Sequence, residues 1–328
     1  MVAVEEGRLA AARAFTILVD GGWAPPLPGT GATLARWQAL AALGERDLSL
    51  ARLAEGHADA LAVLAELGGP AVPAGCRLGV WAAEPPDARL VARGAGGGWR
   101  LSGRKAWCSG ARTLTHALVT AATDDGPRLF LLDLAAGGVR VDATVWRGPG
   151  MAAADTADVH LDDVPADPVG PVGGYTGRPG FWHGGIGVAA VWTGGARAVA
   201  TRLTAAGDGD PFVSAALGAA DVELHGVDAA LRVAAAEVDA GPGDLPAARV
   251  RAMRVRALAA RGAEDVLRLV GHALGPGPLA HDAEHARRVA DLTVYLRQHH
   301  AERELAALGD LLRGARPDAA AADRGRPA

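Results

Sequence analysis

The sequence predicts an α+β protein with N-terminal helices, a central β barrel or sandwich, and a C-terminal four-helix bundle. Apolar residues repeat at helical spacing in the first and last parts of the chain. Between them, short runs rich in Val, Leu and Trp are separated by turn residues, as is typical of strands. The predicted boundaries are a helical domain at 1–72, a β domain at 73–168, a bundle at 169–312 and a disordered tail at 313–328.

The N-terminal part is predicted to hold two clear helices and one weak one. Asp47 precedes the second clear helix as a plausible N-cap, and Gly68-Gly69-Pro70 ends it. The Gly- and Pro-rich stretch Gly21–Gly31 excludes regular structure between the weak helix and the others. The predicted helices are Leu9–Leu18, Thr33–Leu43 and Leu48–Leu67.

The middle part is predicted to form seven short strands, a number and spacing typical of a small barrel or sandwich. The glycines of Ala95-Gly96-Gly97-Gly98 are expected to close a hairpin. The predicted strands are Arg77–Ala82, Ala88–Ala92, Trp99–Leu101, Ala117–Ala122, Arg128–Leu134, Val139–Asp142 and Asp158–Leu161.

The last part returns to helical periodicity and predicts a bundle. Its four helices are expected near Gly184–Leu203, behind Asp210-Pro211, around Val255–Ala273 and over Glu284–Leu312. In the last helix the apolar face switches across Gln298–His300, which predicts a break or a change of packing partner at that point.

Composition excludes several classes of protein. The formal net charge of −4 across 328 residues provides no basic surface for nucleic acid. No stretch is long and apolar enough for a membrane span, and the acidic residues near the N-terminus do not fit a signal peptide. Cys76 and Cys108 are too few for a disulfide framework, so the expected location is the reducing cytoplasm.

Several local segments, in order, resemble the acyl-CoA dehydrogenase family over about Leu43–Gly309. The segments are Leu43-Gly44-Glu45-Arg46-Asp47-Leu48-Ser49, Leu101-Ser102-Gly103-Arg104-Lys105-Ala106-Trp107-Cys108-Ser109-Gly110-Ala111, Gly150-Met151, Val159-His160-Leu161-Asp162-Asp163-Val164-Pro165, and Arg288 with Asp291. The resemblance implies the three-part architecture predicted above, with a shortened N-terminal helical domain. It also implies a flavin between the β domain and the bundle.

The resemblance assigns flavin contacts to Trp107 and Ser109, whose alternative roles are a core tryptophan and a turn serine. Strand alternation turns Cys108 away from that face. Glu84 matches a second flavin motif of the family. In that motif the preceding residue is threonine, whereas this chain has Ala83, and the motif's Gly-Ser is also absent. Gly275 and Gly277 correspond to the loop that reaches a neighbouring subunit's cofactor, or they simply end a helix. FAD is the cofactor that the resemblance implies. The absence of the motif's threonine and serine hydroxyls predicts a weaker affinity for FAD, or FMN as the cofactor in its place.

The family's usual glutamate base is not found at its expected position, where this chain has Gln298-His299-His300. Three interpretations stay open: His299 or His300 acts as an acid/base, Glu302 supplies the carboxylate from one turn later, or the histidines are structural.

The function that the resemblance implies is flavin-dependent oxidation of a CH–CH group in an acyl thioester or related small molecule. The alternatives are a flavin-dependent monooxygenase of the same fold and a non-catalytic partner subunit of an active homologue. The expected assembly is a homodimer or dimer of dimers, with a hetero-oligomer as the alternative.

Overall fold

The N-terminal part consists of three helices in a computed structural model that describes residues 2–207 and 209–314. They are α1 (Val2–Asp20), α2 (Thr33–Arg46) and α3 (Leu48–Leu67). The first helix extends beyond the predicted Leu9–Leu18 at both ends. Its Ala11, Phe15 and Val19 recur every four residues and are buried. Asp47 caps α3 by accepting from Leu50 N at 2.9 Å, and Gly68 ends it with a φ of 67°.

The middle part forms seven strands, as predicted. They are β1 (Leu78–Trp81), β2 (Leu90–Ala95), β3 (Gly98–Cys108), β4 (His116–Thr123), β5 (Gly126–Asp133), β6 (Val139–Asp142) and β7 (Ala157–Val169). The pairings β4–β2, β2–β3, β3–β7, β7–β5 and β5–β4 return to their starting point, so five strands close a barrel. β1 extends it beside β4, and β6 pairs with β7.

The predicted hairpin joins β2 to β3. Ala95 pairs with Gly98, and the two residues between them, Gly96 and Gly97, have φ values of 57° and 89°. Two positive φ angles in a two-residue loop match the twist of the strands, and glycine adopts them without strain.

The C-terminal part is a helical bundle with a broken last helix. Its helices are α4 (Pro179–Ala205), α5 (Pro211–Ala240), α6 (Leu245–Leu274), the short α7 (Gly277–His281), α8 (Ala283–Tyr295) and α9 (Ala301–Gly314). Asp210 and Asp244 cap α5 and α6 through their side chains, each followed by a proline in the first turn. Gly194 lets α4 lie directly against α2, because a Cβ there would stand 2.0 Å from Ala41 O.

The predicted change of apolar face coincides with a real break in the last helix. One 3₁₀ turn (Leu296–Gln298) follows α8, and His299 is extended. Leu292 and Leu296 before the break are buried in the core, whereas Leu305 and Leu312 on α9 are 50% and 40% exposed. The first two residues of the predicted disordered tail (313–328), Arg313 and Gly314, belong to α9, and the rest of that tail lies outside the described residues.

Among the described helices, none combines the length and the apolar character that a bilayer crossing requires.

Candidate functional site

A cavity of about 870 Å³ lies where the barrel meets α8, which is enough space for a cofactor ring and a small substrate. Barrel residues form one wall, and the end of α8 and the turn after it form the other. α3 contributes Arg52. The lining residues are Arg52, Val80, Ala82, Ala83, Trp107, Ser109, Val145, Trp146, Arg147, Gly148, Gly150, Met151, Ala154, Thr156, Thr293, Val294, Tyr295, Arg297, Gln298 and His300.

A bulge at the end of β3 turns Trp107 toward this cavity. The register with β7 shifts between Lys105 and Cys108, and Trp107 adopts a φ of 61°, which an L-residue rarely occupies. Its indole is 58% exposed and meets the edge of Trp146 at 5.8 Å between ring centroids. An aromatic face thus lies open on the cavity wall.

Ser109 also lies on this wall, two residues beyond Trp107. Its Oγ is 3.0 Å from Thr156 Oγ1, and its carbonyl accepts from Trp81 Nε1 at 3.0 Å. Cys108 between them is buried, and burial raises the pKa of its thiol well above the usual range. Cys108 therefore has no access to the cavity, in agreement with the alternation argument.

Glu84 does not line the cavity but anchors the segment that does. The buried Lys105 donates to Thr120 O at 2.8 Å and to Thr120 Oγ1 at 2.7 Å. Thr120 Oγ1 in turn donates to Glu84 Oε1 at 2.6 Å. This chain of hydrogen bonds fixes the turn after β1, whose Ala82 and Ala83 form part of the wall.

Asp291 fastens the helical wall to the barrel wall. Its buried carboxylate accepts from Met151 N at 2.6 Å and from Arg287 Nη1 at 3.2 Å. Burial raises the pKa of Asp291 to about 6. Gly150 makes the approach possible, because a Cβ there would lie 2.4 Å from Ala290 O. Arg287 pairs with Asp291, whereas Arg288, the arginine named with Asp291 in the resemblance, pairs with Glu284 at 2.6 Å.

The structure separates the histidines and the glutamate proposed as bases. His300 lines the cavity, with its Nδ1 3.4 Å from Glu304 Oε1. His299 is buried against Trp192 on the other side of the chain, and its Nε2 lies 3.4 Å from Glu304 Oε2. Burial lowers the pKa of His299, which favours its neutral form. Glu302 is exposed and is not part of the cavity wall.

Gly275 and Gly277 lie at the junction of α6 and α7, away from the cavity wall. Gly275, with a φ of 64°, ends α6. Within this chain they therefore terminate a helix; a contact with a neighbouring subunit's cofactor stays a prediction.

A polar cluster formed by Arg52, Glu55, Asp59 and Tyr295 adjoins the cavity, and Arg52 and Tyr295 belong to its wall. Arg52 Nη1 pairs with Glu55, and Arg36 Nη2 donates to Asp59 at 3.0 Å. Burial raises the pKa of Glu55 to about 7, even though Arg52 acts to lower it. These residues are not part of any motif in the sequence. The available signal was the spacing of charged residues along one face of the otherwise apolar α3.

Among the described residues, the cavity walls contain three arginines and one histidine but no carboxylate. In the part of the chain that the structure describes, no three His, Cys, Asp or Glu side chains form a metal-binding group. The wall can therefore hold an anionic ligand and exchange protons through His300, but it offers no carboxylate base.

Comparison with known proteins agrees with this architecture. Residues 83–164 match the family model of the acyl-CoA dehydrogenase middle domain. Glutaryl-CoA dehydrogenase from Mycobacterium smegmatis is similar with a TM-score of 0.81 and 19% identity, over 96% of this chain and 89% of that one. No curated protein matches the chain in sequence.

Two similar structures contain FMN. KijD3, in complex with FMN and dTDP-3-amino-2,3,6-trideoxy-4-keto-3-methyl-D-glucose, has a TM-score of 0.77 and 21% identity over 96% of this chain and 92% of that one. Dibenzothiophene monooxygenase (TdsC) from Paenibacillus sp. A11-2, with FMN and indole, has a TM-score of 0.76 and 19% identity over 96% of this chain and 98% of that one. At such identities the likeness shows the fold. The chain thus has the acyl-CoA dehydrogenase fold, and its residues 83–164 match the middle domain of that family.

Proposed function

We propose that the protein is a flavin-dependent oxidoreductase of the monooxygenase type. The observation that carries this proposal is the composition of the two cavity walls, which together present Trp107, Ser109 and His300 and no carboxylate. Removal of an α-proton from an acyl thioester, the reaction that the resemblance implies first, requires a base at the substrate carbon. A monooxygenase needs proton exchange instead, which a histidine performs near neutral pH.

The residues present fit a flavin, and they favour FMN over FAD. An exposed indole face and a serine hydroxyl match the apolar surface and hydrogen-bond donor that a flavin ring requires. Arg147 and Arg297 on the wall supply positive charge for a phosphate. Ala83 has no hydroxyl to donate where the family's FAD motif has threonine. Two of the similar structures contain FMN.

A bound flavin would supply the two electrons for reducing oxygen. In this arrangement Trp107 orients the ring and Ser109 donates a hydrogen bond to its edge. Asp291 keeps the two walls together and thereby limits the entry of water. His300, which is exposed on the cavity side and close to Glu304, exchanges the protons that the reaction consumes.

The first test is the absorbance spectrum of the purified protein, followed by FMN titration. We expect visible flavin bands and binding of FMN in preference to FAD. The protein is then supplied with chemically reduced FMN, ¹⁸O₂ and indole as a probe. One oxygen atom should enter the product and the other should leave as water. A colourless protein that does not bind added flavin would refute the proposal and support a non-catalytic partner subunit.

His300 is tested by substitution with glutamine, with His272→Gln as the matched control. His272 is an exposed histidine on α6, away from the cavity wall. General acid–base catalysis contributes about 10²–10⁴-fold, so His300→Gln should lower kcat by about 10²-fold or more, with the flavin retained. His272→Gln should leave kcat unchanged. Equal activities would exclude His300 as the proton-exchanging group.

We further propose that the protein acts in the cytoplasm as a homodimer or dimer of dimers. The exposed leucines of α9 support this, because apolar side chains in one row favour burial by a second subunit. Light scattering of the protein expressed alone tests it. A folded monomer that retains flavin would contradict the proposal, and a requirement for a homologue would indicate a hetero-oligomer.

A further inference from the structure

Two residues of the cavity wall each carry a buried hydrogen-bond donor that has no acceptor among the residues that the structure describes. The donors are the hydroxyl of Tyr295 and Nε of Arg52. Tyr295 is only 2% exposed. Among the lining residues, these are the ones with a buried side-chain N or O atom that lacks a hydrogen bond within the described structure. A buried donor without an acceptor costs free energy, so such a pair indicates a place for a ligand atom.

Both donors are held in position by their surroundings. Arg52 is fixed through Nη1 by Glu55, which leaves its Nε free. The Tyr295 ring packs edge-on against Trp192 at 6.4 Å between ring centroids, at the last turn of α8. Burial raises the pKa of the Tyr295 hydroxyl well above its usual range, and the nearby Glu55 adds to this. The hydroxyl therefore remains protonated and can donate.

The groups around Tyr295 act on its hydroxyl in opposite directions. Burial, Glu55 and Asp59 raise the pKa of Tyr295, whereas Arg52 lowers it through its positive charge and its nearby N–H groups, and burial is the largest effect. Arg36 on α2 holds Asp59. Burial raises the pKa of Glu55, so part of this carboxyl is uncharged near neutral pH and competes less with a ligand for Arg52. The only ligand atom that satisfies both a hydroxyl and a guanidinium N–H is an acceptor such as oxygen.

We propose that Tyr295 Oη and Arg52 Nε form a subsite that binds an acceptor oxygen, carbonyl or carboxylate, on an aromatic substrate. The aromatic part follows from the indoles of Trp107 and Trp146 and from the alanine, valine and methionine side chains of the same wall. This inference rests on the proposed function, since it names the substrate class of the same cavity.

The test measures binding of three probes by calorimetry: indole, indole-3-carboxaldehyde and indole-3-carboxylate. The holoprotein with FMN is used, and the measurements are repeated without flavin. The wild type should bind at least one oxygen-bearing probe about tenfold more tightly than indole, the equivalent of one well-formed hydrogen bond. Preference for the carboxylate would identify an acid as the substrate, and preference for the aldehyde would identify a neutral carbonyl compound.

Tyr295→Phe removes one donor and nothing else. The variant should prefer the oxygen-bearing probe over indole about tenfold less than the wild type does, and its affinity for indole should be unchanged. Its Tm should stay the same or rise, because the lost hydroxyl has no hydrogen-bond partner in the protein. Thr293→Val is the matched control. Its hydroxyl also belongs to a lining residue but already donates to Val289 O at 2.7 Å, so the preference should persist.

Three outcomes would overturn the subsite: no binding of the probes, no preference for oxygen in the wild type, or the same preference in Tyr295→Phe. Failure of the proposed function is recognised separately. A protein that retains no FMN contradicts that function, while the flavin-free titrations still decide the subsite.

Discussion

Replacing Asp291 by asparagine tests how α8 is held against the cavity. Burial raises the pKa of the Asp291 carboxyl from 3.8 to about 6, even though Met151 N and Arg287 act to lower it. A carboxyl whose pKa is higher in the folded than in the unfolded state stabilises the fold fully below about pH 3.8. That contribution is lost as the pH rises through 6. The interval of about two pH units corresponds to about 3 kcal/mol of unfolding free energy.

The assay is urea denaturation between pH 4 and 7 of the wild type, Asp291→Asn and Asp291→Ala. The asparagine carries no charge but keeps an oxygen that can accept from Met151 N. Its unfolding free energy should therefore rise relative to the wild type by up to about 3 kcal/mol between pH 4 and 7. Alanine leaves the buried Met151 N–H without an acceptor, so this variant should lie about 1–3 kcal/mol below asparagine at every pH.

Other buried acids, such as Glu55, titrate in all three proteins, so only the differences between variants are interpreted. Parallel pH profiles of the wild type and Asp291→Asn would refute the reasoning. Equal stability of the asparagine and alanine variants would show that the bond to Met151 N contributes nothing.

Two further predictions concern the bulge and the packing of α4. Trp107→Ala should weaken FMN retention more than Cys108→Ala does, because Cys108 is buried away from the cavity. Fluorescence titration with FMN measures this, and the reverse order would place the flavin elsewhere. Gly194→Ala should lower the unfolding free energy by about 1–3 kcal/mol, since its Cβ meets the α2 backbone. Gly218→Ala, on open helix surface, should raise it by about 0.5–1 kcal/mol, and an equal loss in both would contradict the packing argument.

The order of helices and strands could be predicted because its signals are local. Turn residues bound each strand, and the Asp47 cap and Gly68 terminator mark the ends of α3. The lengths of β3 and β7 could not be predicted. Both strands continue through polar stretches that are extended because the two strands pair with each other, and this pairing has no local sequence signal. The 3.6-residue pattern of the last helix correctly indicated the break near His299.

The candidate site could be predicted only in part, for physical reasons. Trp107 and Ser109 follow from their motif, but the positive φ that directs Trp107 to the wall has no signal in a bulky residue. The two neighbouring histidines differ because the backbone leaves helical geometry between them, so that His299 packs inward on Trp192 and His300 faces the cavity. The Arg52–Glu55 pair on α3 lies near Tyr295 at the end of α8, and this proximity of two separate parts of the chain is visible only in the fold.

The two walls of the cavity differ in how freely evolution or a protein engineer can alter them. The barrel wall depends on the Lys105 and Thr120 hydrogen bonds and on a strained bulge, so substitutions there endanger folding as well as binding. The opposite wall presents Thr293 and Gln298 as exposed side chains beyond the Asp291 anchor, and neither is assigned to flavin binding or proton exchange. A library confined to these positions could change which molecules are accepted while the flavin platform stays intact.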